Sequence, residues 1–261
     1  MESSDVVRQQ DAPDAERQQS GADGERRPYE FSDDTRARAR AIIARYPADR
    51  SRSALLPMLH LVQAEQGRVT PAGVAFCAEM LGLTKAEVGA VATFYTMYKR
   101  RPTGEYLVSV CTNTLCDMLG GGDIFRRLSD ELGVGHDETI PDGSITLEHA
   151  ECLAACDYAP IVTVNYEFYD NQTPESASDL VAGLRAGQRP APTRGAGLCT
   201  LKEMALQLSG FGDDRDAAIE SGATGAPTLR GTRLAEEHGV GAPSYDVNAP
   251  IPAAQAKEGA K

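Results

Sequence analysis

Between residues 32 and 98, apolar side chains recur every three or four positions, which is the spacing of one face of an α-helix. Most of these stretches begin at a serine or threonine that can cap a helix and stop at a proline or glycine. We therefore predict four amphipathic helices joined by short loops, packed as a small bundle. They run from Ser32 to Tyr46, from Ser51 or Ser53 to Gly67, from Thr70-Pro71 to Gly82, and onward from the Thr84–Glu87 capping box.

Beyond Pro102 the pattern changes to short runs of β-branched and aromatic residues, which are typical of strands. One run, Tyr106–Val110, leads into Cys111, and another, Ile145–Leu147, leads towards Cys152. The order of predicted elements, β-α-β-β-α, indicates a mixed sheet flanked by helices and is compatible with a thioredoxin-like layer. The other elements are a helix over residues 123–132, strands Ile161–Val164 and Glu167–Tyr169 around a tight turn at Asn165-Tyr166, and a helix from Thr173-Pro174 to Gly187.

The two ends of the chain differ from this middle part. Residues 1–30 are polar and charged, and they cannot bury enough apolar surface to become ordered. Residues 189–261 are rich in proline and glycine and predict no independent core beyond one capped helix near residues 200–209. The sequence thus predicts an α+β fold with a disordered N-terminal tail (1–30), a four-helix bundle (31–100), a thioredoxin-like domain (101–188) and a largely irregular C-terminal extension wrapping partner subunits (189–261).

Charge and hydropathy narrow the functional classes. The net charge of the 261-residue chain is −12, which argues against a nucleic-acid-binding surface. No apolar run approaches the roughly 18 residues that suggest a membrane-spanning helix, and the N-terminus lacks the basic and apolar regions of a secretory signal. We therefore expect a cytoplasmic protein without direct membrane insertion. Because thiols stay reduced in the cytosol, the six cysteines are better interpreted as metal ligands or thiols than as disulfides.

Four of the six cysteines form two closely spaced pairs. Cys111 and Cys116 make a C-x4-C pair, Cys152 and Cys156 make a C-x3-C pair, and 35 residues separate the two. Each pair follows a predicted strand, so two loops at one end of the sheet can turn four thiolates towards one point. Four thiolates suit a [2Fe–2S] cluster, with two for each iron, and they also suit tetrahedral zinc.

The residues around these cysteines favour iron and sulfur over zinc. Both loops are wider than the C-x2-C of zinc knuckles, as a unit of two irons requires. The intervening residues are mostly small or hydroxyl-bearing, which lets backbone N–H groups approach the sulfurs. These residues include Thr112, Asn113 and Thr114 in the first loop and Ala154 and Ala155 in the second.

Other candidate sites are weaker. No C-x-x-C pair suits a thioredoxin-type redox site, and a Rieske centre needs two histidines where only His149 is close to a cysteine. We interpret Cys77 as a small buried apolar residue and Cys199 as a thiol outside the site. Gly120-Gly-Gly122 could bind phosphate at a helix start, but Asp123 would repel it, so we interpret the glycines as a flexible connection. No dinucleotide fingerprint or nucleophile motif is present, and no catalytic residue is predicted.

Six short motifs occur in a specific order over residues 30–187. They are Arg45-Tyr-Pro47, Ser53-Ala-Leu-Leu-Pro-Met-Leu-His-Leu-Val-Gln63, Val91-Ala-Thr-Phe-Tyr-Thr96, Val110-Cys-Thr-Asn-Thr-Leu-Cys116, Glu151-Cys-Leu-Ala-Ala-Cys156 and Ala159-Pro160. With these motifs the chain resembles the 24-kDa-type subunit of respiratory NADH dehydrogenase (complex I), which is also known as the E-type subunit of NADH-quinone oxidoreductase.

The resemblance implies a helical bundle joined to a thioredoxin-like [2Fe–2S] ferredoxin domain. It implies one [2Fe–2S] cluster, bound through Cys111, Cys116, Cys152 and Cys156. It also suggests a cis peptide bond before Pro160, as in thioredoxin-like folds. Many members of the family stop near Gly187, so the long C-terminal extension is a departure from the pattern.

The resemblance also implies a function within a larger enzyme. The chain would exchange electrons with the FMN of a partner flavoprotein subunit, which also binds NADH, in the NADH-oxidising module of complex I. A neighbouring iron–sulfur subunit of the peripheral arm, on the cytoplasmic face of the membrane, is the second expected partner. Two alternatives stay open: the equivalent small subunit of an NAD-dependent formate dehydrogenase or hydrogenase, and a zinc-stabilised interaction module without a redox role.

Overall fold

The computed structural model describes residues 29–212, residue 215 and residues 225–241. Nearly all of the predicted N-terminal tail and the end of the predicted C-terminal extension lie outside these residues. Within them, four helices come first, a five-stranded sheet with three helices follows, and two further helices lie near the C-terminus. No helix in this part of the chain is long and apolar enough to cross a membrane.

The first four helices begin and end largely where their capping residues predict. The hydroxyls of Ser32, Thr70 and Thr84 each accept a hydrogen bond from the backbone N–H three residues on. Gly67 and Gly82 follow their helices in the left-handed conformation that favours glycine. The helices are α1 (Asp33–Ile43), α2 (Leu55–Gln66), α3 (Pro71–Leu81) and α4 (Lys85–Phe94).

The predicted start of the second helix is wrong. A 3-10 helix spans Ala48–Ala54 and contains both Ser51 and Ser53, so neither caps α2. The helix begins at Leu55 without a side-chain cap. Leu55 is buried in the core, so burial rather than capping stabilises this first turn.

Side chains from all four helices meet in one hydrophobic core. Helix α2 is central to it, because it packs against α1, α3 and α4 and is buried on most of its surface. The largest buried side chains of this core include Ile42 from α1, Met58, Leu59, Leu61 and Val62 from α2, Phe76 from α3 and Val88 from α4.

The second part of the chain is built on a mixed sheet with the strand order β2-β3-β1-β4-β5. Strand β1 pairs in parallel with β3, whereas the other neighbouring strands are antiparallel. The two-residue strand β2 and the short helix α5 were not predicted. The elements are β1 (Tyr106–Cys111), α5 (Thr114–Met118), α6 (Gly121–Leu132), β2 (Glu138–Thr139), β3 (Ile145–Ala150), β4 (Val162–Val164), β5 (Glu167–Tyr169) and α7 (Pro174–Arg185).

One face of this sheet is apolar and is covered by α6 and α7. The helix predicted over residues 123–132 is confirmed as α6, and its buried residues Ile124 and Leu128 pack against Val108 and Val110 of β1 in one core. The same core takes in apolar side chains of α7. The two helices therefore hold β1 and its neighbours in a fixed position.

The predicted tight turn between β4 and β5 is confirmed. Asn165 and Tyr166 both have left-handed backbone angles, with φ of 48° and 70°. The fully buried amide of Asn165 donates hydrogen bonds to the carbonyl oxygens of Glu105, at 3.0 Å, and Cys199, at 2.7 Å. Its oxygen accepts a hydrogen bond from the N–H of Leu107 at 2.8 Å. This side chain thus joins the turn, strand β1 and the C-terminal extension.

The first part of the C-terminal extension packs against its own chain. Helix α8 (Leu201–Leu208) is capped by Thr200, as predicted, and lies against α2 with Leu201 and Met204 buried. Beyond its end, the Arg45 guanidinium donates a hydrogen bond of 2.9 Å to the carbonyl oxygen of Gly210. A further helix, α9 (Ala226–Glu237), contacts a short 3-10 turn of the sheet domain.

Replacing Asn165 with alanine tests how much this one side chain contributes. The variant removes three hydrogen bonds, one from the Leu107 N–H and two to the carbonyl oxygens of Glu105 and Cys199, which we expect to cost about 3 kcal/mol in the free energy of unfolding. Urea unfolding of the purified chain measures this loss.

Asn171→Ala is the matched control, because Asn171 has a similar φ of 50° but is exposed. It should lose only the preference for the left-handed conformation, about 1 kcal/mol. Equal losses in the two variants would show that the buried hydrogen bonds contribute nothing beyond backbone strain.

Candidate metal centre

The two cysteine pairs lie at one edge of the sheet because β1 and β3 run in parallel. Cys111 is the last residue of β1 and lies opposite Ala150, the last residue of β3. Cys152 follows two residues later. The backbone N–H of Thr112 donates a hydrogen bond of 3.1 Å to the carbonyl oxygen of Ala150, so the two loops leave the sheet side by side. The predicted placement of both loops at the same end of the sheet is confirmed.

The first loop is shorter than the sequence suggested. Cys116 does not lie in an irregular loop but in the five-residue helix α5, which Asn113 precedes in an extended conformation. The side-chain amide of Asn113 donates a hydrogen bond of 2.8 Å to the Glu151 carboxylate, just before Cys152. This contact ties the first loop to the second. Asn113 and Thr114 are residue types typical of a helix start, but the apolar run that follows them is too short to predict a helix.

The glycines after α5 have a different role from the one predicted. Gly120 has a φ of 108° and precedes α6, but Gly121 and Gly122 form the first turn of that helix rather than a flexible connection. A side-chain carbon on Gly121 would collide with the carbonyl oxygen of Cys111 and would lie 2.9 Å from that of Cys116. Only glycine lets α6 start directly beneath the two cysteines.

The second loop is compact and brings its two sulfurs together. The Sγ atoms of Cys152 and Cys156 lie 3.6 Å apart. Two sulfurs bound tetrahedrally to one metal at about 2.3 Å would be separated by about 3.8 Å, so the spacing of this pair suits binding to a single metal ion. Ala154 has a φ of 56°, and its N–H points at the Cys152 sulfur at 3.4 Å. The prediction that a small residue brings a backbone N–H to a sulfur is confirmed here.

The four sulfurs differ in their exposure. Cys111 and Cys116 are buried, in a small apolar cluster with Ala155 and Ile161, whereas Cys152 and Cys156 are exposed. The site therefore has an inner pair of buried cysteines, Cys111 and Cys116, and an outer pair that faces solvent, Cys152 and Cys156. Partly buried residues complete the cluster on one side, namely Leu153, Tyr158, Ala159 and Phe168.

The thiols of the site lie close enough to affect one another's pKa. Burial, followed by the neighbouring thiols of Cys111 and Cys156, raises the pKa of Cys116 to about 12, and a backbone hydrogen bond from Ile161 opposes the rise. The thiol of Cys152 is the main cause of a raised pKa at Cys156. Negative charges on all four sulfurs would repel one another, and a bound cation removes that penalty. The donor set thus fits a positively charged metal group held by thiolates.

The remaining cysteines and the nearby histidine lie apart from this site. Cys77 is buried in the helical core, where burial raises its pKa to about 12, and Cys199 is buried in the C-terminal extension. The His149 ring packs against the rings of His136 and Phe125, at centroid distances of 4.1 Å and 5.9 Å. Across residues 29–212 and 225–241, no three His, Cys, Asp or Glu side chains are spaced to hold a single metal ion. The peptide bond before Pro160, next to the site, is cis as hypothesised.

Comparison with known proteins agrees with this geometry. Residues 39–185 match the family model of the thioredoxin-like [2Fe–2S] ferredoxins. The chain belongs to this family. Its cofactor is one [2Fe–2S] cluster, and its fold is the mixed helix and sheet of a thioredoxin-like ferredoxin. The zinc alternative finds no support in this membership.

Two curated relatives are similar to this chain over more than half of its length. The E-type subunit of NADH-quinone oxidoreductase from Mycobacterium bovis is 59% identical over 220 residues, which cover 83% of this chain and 86% of the relative. NADH-quinone oxidoreductase subunit 2 of Thermus thermophilus is 38% identical over 160 residues, covering 61% and 88%. A solved NAD+-reducing [NiFe]-hydrogenase aligns with 51% of this chain and 23% of its own chain, at 17% identity and a TM-score of 0.46.

Gly121→Ala tests whether α6 must start this close to the cysteines. Since the new methyl group would collide with the backbone of Cys111, we expect a loss of about 1–3 kcal/mol in the free energy of unfolding. We also expect a lower iron and sulfide content after purification. Both quantities can be measured on the same preparation.

The control is Gly89→Ala in the middle of α4, where nothing in the described part of the chain lies within 4 Å of an added methyl group. It should keep its iron and gain up to about 1 kcal/mol of helix stability. Full iron content and unchanged stability in Gly121→Ala would contradict the close packing.

Proposed function

We propose that Cys111, Cys116, Cys152 and Cys156 hold the [2Fe–2S] cluster, with each closely spaced pair binding one iron. The observation that carries this proposal is the meeting of two cysteine loops at the shared end of β1 and β3. The 3.6 Å spacing of the outer sulfurs supports it. Cys77 and Cys199 take no part, because they are buried elsewhere.

We further propose that the chain is the [2Fe–2S] electron-transfer subunit in the NADH-oxidising module of an NADH-quinone oxidoreductase. The names of the two relatives support this assignment. When bound, a [2Fe–2S] cluster takes up and releases one electron. The residues of this chain hold the sulfurs, limit the access of water to the inner pair, and donate N–H groups, such as that of Ala154, towards the sulfur charge.

The chemistry on NADH belongs to a partner in this proposal. The sequence contains no dinucleotide fingerprint, so we place NADH and FMN on the flavoprotein subunit of the same complex. Apolar side chains beside the first cysteine loop support a partner surface there: Met118 is 77% exposed and Leu119 is 56% exposed. The neighbouring iron–sulfur subunit of the peripheral arm is the second proposed partner, and in this proposal the chain lies at the cytoplasmic face of the membrane.

The finer organisation of the chain follows from the same proposal. We interpret residues 31–100 as a four-helix bundle, supported by the shared core of α1 to α4, and residues 101–188 as the ferredoxin domain. The C-terminal extension, residues 189–261, would wrap partner subunits and help assembly.

The alternative assignment is the equivalent subunit of an NAD-dependent formate dehydrogenase or hydrogenase. The relatives named above favour the quinone-reducing enzyme over both. Partners that co-purify with the tagged full-length chain would decide between them, since each enzyme brings its own catalytic subunit.

Serine at each of the four positions tests the ligand assignment. We expect Cys→Ser at Cys111, Cys116, Cys152 or Cys156 to remove or distort the cluster, because a hard oxygen ligand replaces a soft thiolate. The measurement is the rhombic [2Fe–2S] EPR signal of the reduced, anaerobically purified chain.

Cys77→Ser and Cys199→Ser are the matched controls, because these cysteines are buried away from the site. Both should keep the signal of the unchanged protein. Retention of a normal signal in any of the four site variants, or its loss in Cys199→Ser, would show that the ligand set is wrong.

A further inference from the structure

The C-terminal extension passes directly along the outer edge of β5 before it reaches α8. The backbone N–H of Thr193 donates a hydrogen bond of 2.9 Å to the carbonyl oxygen of Phe168. The N–H of Asp170 donates one of 3.0 Å to the Thr193 hydroxyl. These bonds fix the backbone of the extension one residue before Arg194.

Arg194 is thereby placed between aromatic rings and a carboxylate. Its guanidinium lies over the Phe168 ring at 4.5 Å and over the Tyr158 ring at 5.1 Å, measured to the ring centroids. It also donates a hydrogen bond of 2.8 Å to Asp170. The side chain of Arg194 is only 16% exposed and that of Asp170 only 8%, so these contacts are largely shielded from water. Cation–π contacts gain strength when water is excluded.

Both rings belong to the wall of the cysteine site. Tyr158 and Phe168 pack against the cluster of Cys111, Cys116, Ala155 and Ile161. Tyr158 also ends the 3-10 turn that begins at Cys156, one of the two exposed cysteines of the site. Whatever holds the Tyr158 ring therefore also holds the loop that carries Cys156.

The extension reaches this same turn a second time. The hydroxyl of Thr228, near the start of α9, hydrogen-bonds the carboxylate of Asp157. Gly225 lies so close to the Tyr158 hydroxyl that any side chain there would collide with it. Two separate parts of the extension thus contact the turn that follows Cys156, the first at Tyr158 and the second at Asp157 and Tyr158.

We propose that Arg194 is a positioning residue for the cluster: it clamps Tyr158 and with it the outer cysteine loop, and its charge balances Asp170 beside the site. This inference rests on the proposed role of Cys156 as a ligand. Arginine suits the position because its planar guanidinium stacks on rings and stays charged when buried. Without it, Asp170 would leave an unbalanced negative charge near a cluster that becomes more negative on reduction.

Two readouts on the isolated full-length chain separate the clamp from the charge. One is the rate at which a chelator removes iron, followed by the loss of visible absorbance. The other is the midpoint reduction potential, followed by EPR. For Arg194→Gln we expect iron loss to be about tenfold faster, within what a desolvated cation–π contact can contribute, and a lower potential. Arg194→Lys keeps the charge without the planar stack, so it should restore the potential but still lose iron faster.

The matched control is Arg45→Gln, which loosens the other end of the same extension. Arg45 bonds the Gly210 carbonyl oxygen at 2.9 Å and lies over the Phe211 ring at 5.0 Å, in the helical part of the chain. It touches none of the residues around the cysteines, so both readouts should stay at their unchanged values.

Three results would overturn the proposal or its basis. Equal changes in Arg45→Gln and Arg194→Gln would show that Arg194 only anchors the extension. Unchanged iron loss and potential in both Arg194 variants would show that it does not act on the cluster. In either case the unchanged chain still shows its [2Fe–2S] signal and the proposed function stands, whereas an unchanged chain without that signal overturns both.

Discussion

The cysteine site depends on the parallel pairing of β1 with β3. Parallel strands end at the same edge of a sheet, so the loops that follow them start next to each other. In this chain the pairing sets Cys111 opposite Ala150, two residues before Cys152. A slip of one residue would turn every side chain of β1 to the other face of the sheet and carry the Cys111 sulfur away. The apolar face buried under α6 and α7 prevents that slip, so the core fixes the site.

Local sequence signals predicted most of the elements, and the places where they failed have physical causes. Thr70-Pro71 and the capping box at Thr84 mark helix starts through bonds within three residues, so they can be recognised from the sequence. Helix α5 has five residues and is too short for any periodic pattern. The role of Gly121 depends on the carbonyl oxygen of Cys111, ten residues earlier, and no local pattern expresses that contact.

The C-terminal extension shows the same limit at longer range. Its apolar residues Leu198, Leu201 and Met204 are too few to predict a core, and they are buried because the chain already presents apolar surface to them. Residues 190–212 therefore bridge the helical part and the sheet, through α2 at one end and β5 at the other. The position of Arg194 beside the site follows from that path, and the sequence alone marked it only as a charged residue in an irregular region.

The proposed role of this chain in the complex, electron transfer, depends on its four thiols. Two of them are buried and two are exposed, an arrangement that would suit a group exchanging electrons with a partner at the exposed side. Mössbauer spectroscopy of the ⁵⁷Fe-enriched, full-length chain tests this most directly. We expect two irons per chain, which after one-electron reduction appear as one ferric and one ferrous site in equal amounts. A four-iron spectrum, or zinc in place of iron, would contradict a two-iron cluster on these four cysteines.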